Sequence, residues 1–247
     1  MQEQTPLGRN RTGVQMSPID SERMQAGTEA LDPVPSELGY ATVRQAYMND
    51  DQGLGSVPVP GTMKGMLKSG MDMMTGKRPQ TFVDKLGERL AFERGGVRLY
   101  DGLLVKCTAA PHQLPDGALE LLTQFRQQEA EHFALVAEAL ETLGADPTAQ
   151  TPCADLVGVE SLGLVQAMND PRTSVLQALH VMLDAELLDN AAWELLIRLA
   201  EAAGHDEIAS RFELAMRQEA NHLAHLRGWV EQLTLDDASV VRAAGRH

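Results

Sequence analysis

The chain has 247 residues, and its composition excludes several classes of protein. It carries 21 Lys and Arg against 35 Asp and Glu, a formal net charge of -14, which argues against a nucleic-acid backbone as its partner. Apolar residues make up 43% but aromatic residues only 4%, which favours a helical core built mainly from Leu, Ala, Val and Met. The acidity lies late in the chain: residues 1–80 hold 8 basic and 9 acidic side chains, and the remainder holds 13 and 26.

Cysteine usage and hydropathy indicate a reducing compartment. Two cysteines, Cys107 and Cys153, are too few for a four-cysteine zinc or rubredoxin-type site, and they do not suggest a disulfide framework. Residues 1–13 lack the apolar segment of a signal peptide, and no run of about eighteen apolar residues predicts a membrane span. We therefore expect a cytoplasmic protein without a transmembrane segment.

Residues 1–80 are expected to form an extended, partly disordered N-terminal region. They are rich in Pro, Gly, Gln, Ser and Asp and show no sustained apolar period. A short Met-rich helix is predicted near residues 61–75, where Met63, Met66, Leu67, Met71 and Met74 recur at helical spacing. Packing of this helix on the main domain is the simplest interpretation, and docking on a partner or a membrane surface is the alternative.

Residues 81–233 show an apolar period of about 3.6, which predicts four long helices. These span about 82–108, 116–143, 174–203 and 206–233, and residues 234–247 are expected to form a C-terminal tail. Short loops join the first two and the last two helices into antiparallel hairpins. Residues 145–172 form a long connection that includes a short helix. This order predicts an all-α four-helix bundle with one long crossover.

Two Glu-x-x-His motifs carry the chemistry: Glu129-Ala-Glu-His132 on the second helix and Glu219-Ala-Asn-His222 on the fourth. Positions i and i+3 lie about 60° apart on a helix, so each pair shares one face. Apolar residues flank both pairs at helical spacing, which places the pairs on or beside the buried stripe. Because buried carboxylates and imidazoles are costly unless paired or metal-bound, the two motifs indicate a compensating cation.

The other helix of each hairpin offers one acidic residue within an apolar stripe. Glu93 lies on the first helix and Glu186 on the third. Glu93 precedes Glu129 by 36 residues, and Glu186 precedes Glu219 by 33. Each hairpin is therefore predicted to supply three donors of the same types.

Along the chain, the four helices offer Glu, Glu-x-x-His, Glu and Glu-x-x-His in turn. This order of donors resembles the ferritin-like di-iron carboxylate superfamily, over about residues 81–233. The resemblance implies a ferritin- or rubrerythrin-like bundle with two iron ions; manganese or a mixed pair is the alternative, because spacing does not separate these metals. The implied metal ligands are Glu93, Glu129, His132, Glu186, Glu219 and His222. Glu129 and Glu219 would bridge the ions, and each remaining Glu–His pair would complete one of them.

Four further residues are candidates for supporting roles. Asp189 lies one turn after Glu186 and is a candidate for an extra metal ligand or for a residue that contacts the ligands. The alternative is that Asp189 is a polar residue that does neither. Tyr100 is the one candidate catalytic residue, either as a hydrogen-bond donor to a bridging glutamate or as an electron donor. The alternative is that Tyr100 is an ordinary tyrosine of the core. Arg89 and Arg94 could orient glutamates, although pairing on the helix surface is the default expectation.

The resemblance implies an oxidoreductase in which iron reacts with O₂ or peroxide, in the manner of a ferroxidase, oxidase or peroxidase. Because the chain lacks the cysteines of a rubredoxin module, a peroxidase would need an external electron donor. The alternatives are an iron storage or detoxification protein and a metal-binding partner protein without turnover. We expect a homo-oligomer, most simply a dimer.

Overall fold

The computed structural model describes residues 18–29, 37–50, 54–63, 65–66 and 78–244. Within these ranges the regular elements are all helical and no strand occurs, which confirms the predicted all-α class for the described part of the chain. The chain divides into two compact units, one of residues 3–53 and one formed mainly by residues 54–247. None of the described helices combines the length and the apolar character that a membrane span requires.

The first unit contains α1 (Pro18–Glu29) and α2 (Glu37–Asp50), in a region where the sequence suggested extended chain. α1 buries no side chain, and on α2 the apolar residues Tyr40, Val43 and Tyr47 are exposed. α1 therefore rests on the hydrogen bonds of its own backbone and not on core packing. A search for buried apolar periodicity does not detect helices of this kind.

The second unit contains the four long helices that the sequence predicts. In chain order its elements are α3 (Pro79–Ala109), a 3₁₀ turn (Pro111–Gln113), α4 (Ala118–Thr142), α5 (Pro152–Glu160), α6 (Leu162–Asn169), α7 (Val175–Ala202) and α8 (Asp206–Ala244). Short connections join α3 to α4 and α7 to α8, and α5 and α6 occupy the long crossover between the two hairpins. The predicted bundle with one long crossover is present.

Local sequence signals set most of the helix ends. Pro79 is the first residue of α3, where a backbone N–H would have no hydrogen-bond partner within the helix, so the N–H that proline lacks is not missed. Ser174 and Gln177 form a reciprocal capping box at the start of α7. Gly144 and Gly204 follow α4 and α7 with φ of +79° and +77°, a left-handed conformation that glycine adopts without strain.

The last helix is longer than its apolar pattern predicts. α8 continues to Ala244, whereas the sequence suggested an end near Leu233 followed by a tail. Leu233 is the last buried side chain of α8 among those described, and residues 234–239 are mostly exposed. Over residues 234–239 the helix therefore continues on its backbone hydrogen bonds and not on an apolar stripe that the sequence could reveal.

The predicted Met-rich helix near residues 61–75 lies mostly outside the described residues. The part that is described packs on the bundle at the turn after α4. There the Thr62 hydroxyl donates to the carbonyl of Gly144 at 3.3 Å and accepts from the Gly65 N–H at 3.0 Å.

The interior of the bundle has three layers along its axis. One apolar cluster includes Tyr100, Leu122 and Leu226, and the other includes Leu86, Val136 and Trp193. On α4, α7 and α8, the stretch between the residues of one cluster and those of the other carries buried charged side chains, and on α3 the buried Arg89 and Glu93 flank the point where the clusters meet. The fold therefore places a polar layer between two apolar ones.

Candidate metal centre

Eight ionisable side chains form the polar layer, and none is more than 3% exposed. They are Arg89 and Glu93 on α3, Glu129 and His132 on α4, Glu186 and Asp189 on α7, and Glu219 and His222 on α8. The layer includes all six residues that the sequence proposed as metal ligands. Each of the four bundle helices contributes to it, as the spacing of the motifs predicts.

The six proposed ligands gather into two overlapping groups. One group is Glu93, Glu129, His132 and Glu219, and the other is Glu129, Glu186, Glu219 and His222; within each, one donor atom per residue lies within 4.8 Å of the others. Glu129 and Glu219 belong to both groups. These are the two glutamates to which the sequence resemblance assigns a bridging role.

Both histidines direct Nδ1 into the cluster of carboxylates. Nδ1 of His132 lies 2.6 Å from Oε1 of Glu219. Nδ1 of His222 lies 3.2 Å from Oε2 of Glu219 and 3.5 Å from Oε1 of Glu129. A ligand atom on each ring therefore faces the oxygen atoms with which it would share a metal ion.

Several donor atoms in the cluster make no hydrogen bond although they are buried. They include both carboxylate oxygens of Glu219 and Nδ1 of His132 and His222. Buried polar atoms in native proteins are nearly always satisfied, and leaving one unsatisfied costs about 1–3 kcal/mol. These orphaned oxygen and nitrogen atoms, all converging on one region, fit divalent metal ions as their missing partners.

Electrostatics show how unfavourable the cluster is without a cation. Burial, reinforced by neighbouring carboxylates, raises the pKa of Glu93 and of Glu219 well above its usual range. Burial also raises the pKa of Glu129 to about 8, although its contact with His222 opposes the shift. Glu93, Glu129 and Glu219 thus resist ionisation, and a bound divalent ion would reverse that preference.

The two histidines differ in basicity despite their matched positions. Burial lowers the pKa of His132 to about 4. Burial also acts to lower the pKa of His222, but its contacts with Glu129 and Glu186 outweigh that effect and raise it to about 9. Without metal, the two halves of the cluster are therefore not equivalent.

Arg89 and Asp189 form a buried ion pair at one edge of the cluster. Arg89 also contacts Oε1 of Glu93 through Nε at 3.1 Å, and Nη1 donates to the backbone carbonyl of Asp189 at 3.2 Å. The guanidinium lies 4.4 Å from the ring centroid of Phe92. Asp189 belongs to neither candidate ligand group, because its carboxylate faces Arg89.

Arg89 was expected on the helix surface, and the structure buries it. The signal was present in the sequence, because Arg89 lies four residues before Glu93 and three after Leu86, on the same apolar stripe of α3. Arg94 is exposed, in keeping with the surface expectation. A single long charged side chain within a stripe is more often solvated than buried, which is why spacing alone did not distinguish the two arginines.

Tyr100 lies at the opposite edge of the cluster and is fully buried. Its hydroxyl donates a hydrogen bond to Oε1 of Glu186 at 2.5 Å. A hydrogen bond to a glutamate was anticipated from the sequence, but the acceptor is Glu186 rather than one of the two shared glutamates. Burial and the charge of Glu186 raise the pKa of Tyr100 well above its usual range, so the hydroxyl keeps its proton.

Sequence reasoning missed two glutamines beside the histidines. Oε1 of Gln218 lies 2.8 Å from Nε2 of His132, and Oε1 of Gln128 lies 2.8 Å from Nε2 of His222. The available signal was the repeat Gln-Glu-Ala-x-His, which contains both motifs and begins one residue before each.

Gly96 leaves the space that the Glu129 carboxylate occupies. A Cβ atom at Gly96 would lie 2.1 Å from Oε2 of Glu129, far inside any allowed contact. The neighbouring Gly95 has no atom within 4 Å of the corresponding position. The two adjacent glycines therefore differ in function: only Gly96 admits a carboxylate to the centre of the bundle.

Comparisons with known proteins add one likeness. No family model matches the chain, and no curated protein matches it in sequence. A solved structure described as "ferritin like, diiron-carboxylate proteins from Bacillus anthracis str. Ames" aligns with 19% identity and a TM-score of 0.43, over 61% of this chain and 95% of that chain. The buried cluster of carboxylates and histidines itself fits a site for two metal ions, as the sequence predicts.

We predict that Gly96→Ala displaces the Glu129 carboxylate and weakens binding of Zn(II), a redox-inert probe, by about tenfold or more. Gly95→Ala is the matched control. It should leave Zn(II) affinity unchanged and raise the free energy of unfolding by about 0.5–1 kcal/mol, since alanine favours the helix. Chelator competition and urea unfolding measure the two effects. Equal Zn(II) affinities in both variants would contradict the role assigned to Gly96.

We predict that Arg89→Met destabilises the metal-free protein by about 3–5 kcal/mol, because it leaves the Asp189 carboxylate buried without its partner. The double variant Arg89→Met/Asp189→Leu should recover most of that loss, and Arg94→Met on the exposed face should change stability by less than about 0.5 kcal/mol. Urea unfolding of all three gives the comparison. A double variant no more stable than Arg89→Met would show that Asp189 is not the main partner.

Proposed function

We propose that this chain is a non-haem dinuclear metal protein that binds two iron ions and reacts with O₂ or peroxide. The proposed ligands are Glu93, Glu129, His132, Glu186, Glu219 and His222, with Glu129 and Glu219 shared between the ions. The observation that carries the proposal is the convergence of these six buried side chains, with their orphaned donor atoms turned towards one another.

The charge of the polar layer supports two divalent ions. When ionised, its five carboxylates carry a charge of -5, and Arg89 contributes +1. Two divalent cations would neutralise the resulting net charge of -4, provided that both imidazoles are neutral. This balance favours Asp189 as the ion-pair partner of Arg89 over Asp189 as an extra metal ligand.

The donor set favours iron or manganese over softer metals. Carboxylate oxygens are hard donors, the imidazoles are borderline, and no cysteine lies among the ligands. Six protein ligands shared between two ions leave open coordination positions. We propose iron, which when bound would supply the one-electron steps that O₂ and peroxide chemistry require.

Other residues of the chain would prepare the site for that chemistry. Tyr100 orients the Glu186 carboxylate, and its hydroxyl oxygen, 2.5 Å from Oε1, holds a proton in that hydrogen bond. Arg89 holds Glu93 from the other side. The apolar clusters on both sides exclude water, which strengthens each electrostatic contact within the layer.

The two cysteines bear on the compartment of the protein and on the source of its electrons. Cys107 and Cys153 are free, which supports a reducing, cytoplasmic compartment. With no cysteine cluster to carry electrons, the reductant would be a separate protein or small molecule. We also propose that the chain acts as a homo-oligomer, with a dimer as the simplest form.

Metal content tests the proposal directly. We expect anaerobic addition of Fe(II) to load about two ions per chain in the wild-type protein and in Glu131→Ala, but far fewer in Glu129→Ala. Glu131 is the matched control, since it is exposed on the same helix two residues away. Elemental analysis and calorimetry give the counts. Negligible uptake by the wild-type protein would overturn the metal site, and loaded protein inert to both O₂ and peroxide would overturn the redox function alone.

Tyr100→Phe tests the role of the tyrosine hydroxyl. We expect this variant to retain the metal number and to oxidise Fe(II) about 10–100 times more slowly, because Glu186 loses its hydrogen bond. Stopped-flow absorbance after mixing with O₂ measures the rate. An unchanged rate with full metal loading would leave Tyr100 as an ordinary core residue.

A further inference from the structure

Two glutamines connect the histidines of the candidate metal centre across the bundle. Gln218 on α8 contacts His132 on α4, and Gln128 on α4 contacts His222 on α8, both between Oε1 and Nε2 at 2.8 Å. Each glutamine immediately precedes the glutamate of one motif and contacts the histidine of the other. The contacts are therefore reciprocal, and they join the two hairpins at the level of the site.

These contacts determine which ring nitrogen is free. A carbonyl oxygen of glutamine accepts hydrogen bonds, so Nε2 of each histidine carries the proton that it donates. In the neutral ring Nδ1 then holds a lone pair. Nδ1 lies 2.6 Å from a Glu219 oxygen in His132 and 3.2 Å from the other Glu219 oxygen in His222. Because a lone pair and a carboxylate oxygen are both acceptors, the contact is favourable only when a proton or a metal cation lies between them, and a bound metal ion would take that place.

We propose that Gln128 and Gln218 are positioning residues for metal binding. Each accepts a hydrogen bond from the Nε2–H of the opposite histidine and so holds Nδ1 towards the metal ions. The inference rests on the proposed function, because it concerns how the ligands of that site are oriented. Both glutamines are half-buried, so water competes only partly for these hydrogen bonds.

The role requires the glutamine to act as an acceptor. A side-chain amide has an NH₂ group at its other end, and if that group faced the ring it would donate to Nε2. Nδ1 would then carry the proton and could not bind metal. A carboxylate in the same position can only accept, so substitution by glutamate distinguishes the two arrangements.

The experiment compares three kinds of variant. Gln128→Leu and Gln218→Leu remove the acceptor with little change in volume, and Gln128→Glu and Gln218→Glu retain an acceptor alone. Gln127→Leu is the matched control, because Gln127 is exposed on α4 and its amide donates to Glu131 at 3.2 Å, away from the site. Circular dichroism of the metal-free proteins checks folding. If a Leu variant fails to fold, Gln→Asn at that position shortens the side chain and gives the same test.

Zn(II) is the probe, measured by chelator competition and by ¹⁵N NMR of the histidine rings. We expect the Leu variants at positions 128 and 218 to bind Zn(II) about 10–100 times more weakly than Gln127→Leu, and the Glu variants to retain wild-type affinity. In the loaded wild-type protein, both histidines should show a protonated Nε2 and a metal-bound Nδ1.

Three results would overturn the positioning role. Leu variants that bind Zn(II) as tightly as Gln127→Leu, or wild-type histidines bound through Nε2, would remove it while leaving the metal site in place. Glu variants as weak as the Leu variants would show that the glutamines do not act as acceptors. A wild-type protein that takes up neither Zn(II) nor Fe(II) would overturn the proposed function, and this inference with it.

Discussion

The structure depends on charge buried at the middle of a helical bundle. Each ionised carboxylate moved from water into a protein interior costs several kcal/mol, and five lie in one layer here. Arg89 offsets part of that cost through its contacts with Asp189 and Glu93. The remaining carboxylates face one another and two imidazoles, and in their ionised form they need additional cations to be stable together. The apolar clusters above and below make this requirement stricter, because they keep water from solvating the charges.

The donor set is nearly symmetric, but its surroundings are not. On the side of Glu93 lie the Arg89 guanidinium and the Trp193 ring, whose centroid is 5.7 Å from that of His132. On the side of Glu186 lies the Tyr100 hydroxyl, and the Phe125 ring packs on His222 with a centroid distance of 4.2 Å. Two ions held here would therefore experience different fields, with a fixed positive charge near one and a proton donor near the other.

The sequence predicts the long helices and the convergence of the six donors because both follow from one periodicity. Glu93 and Glu186 were identifiable because each interrupts an apolar stripe. The partners of Arg89 and Asp189 were not predictable, since they pair across 100 positions and that pairing depends on how α3 packs on α7. The glutamine contacts likewise cross between hairpins. Helix α1 buries no side chain and residues 234–239 of α8 are mostly exposed, so apolar spacing carried no information about these segments.

Each hairpin holds only half of the site, and this couples ligand binding to assembly of the bundle. Contacts from Arg89 to Asp189, from Tyr100 to Glu186 and between the glutamines and histidines cross between the hairpins at the level of the site. Ions that bind only the docked hairpins stabilise the docked state by mass action. Occupancy of the site by metal ions and docking of the two hairpins are therefore thermodynamically linked. The long crossover joins the two hairpins whose docking is linked in this way.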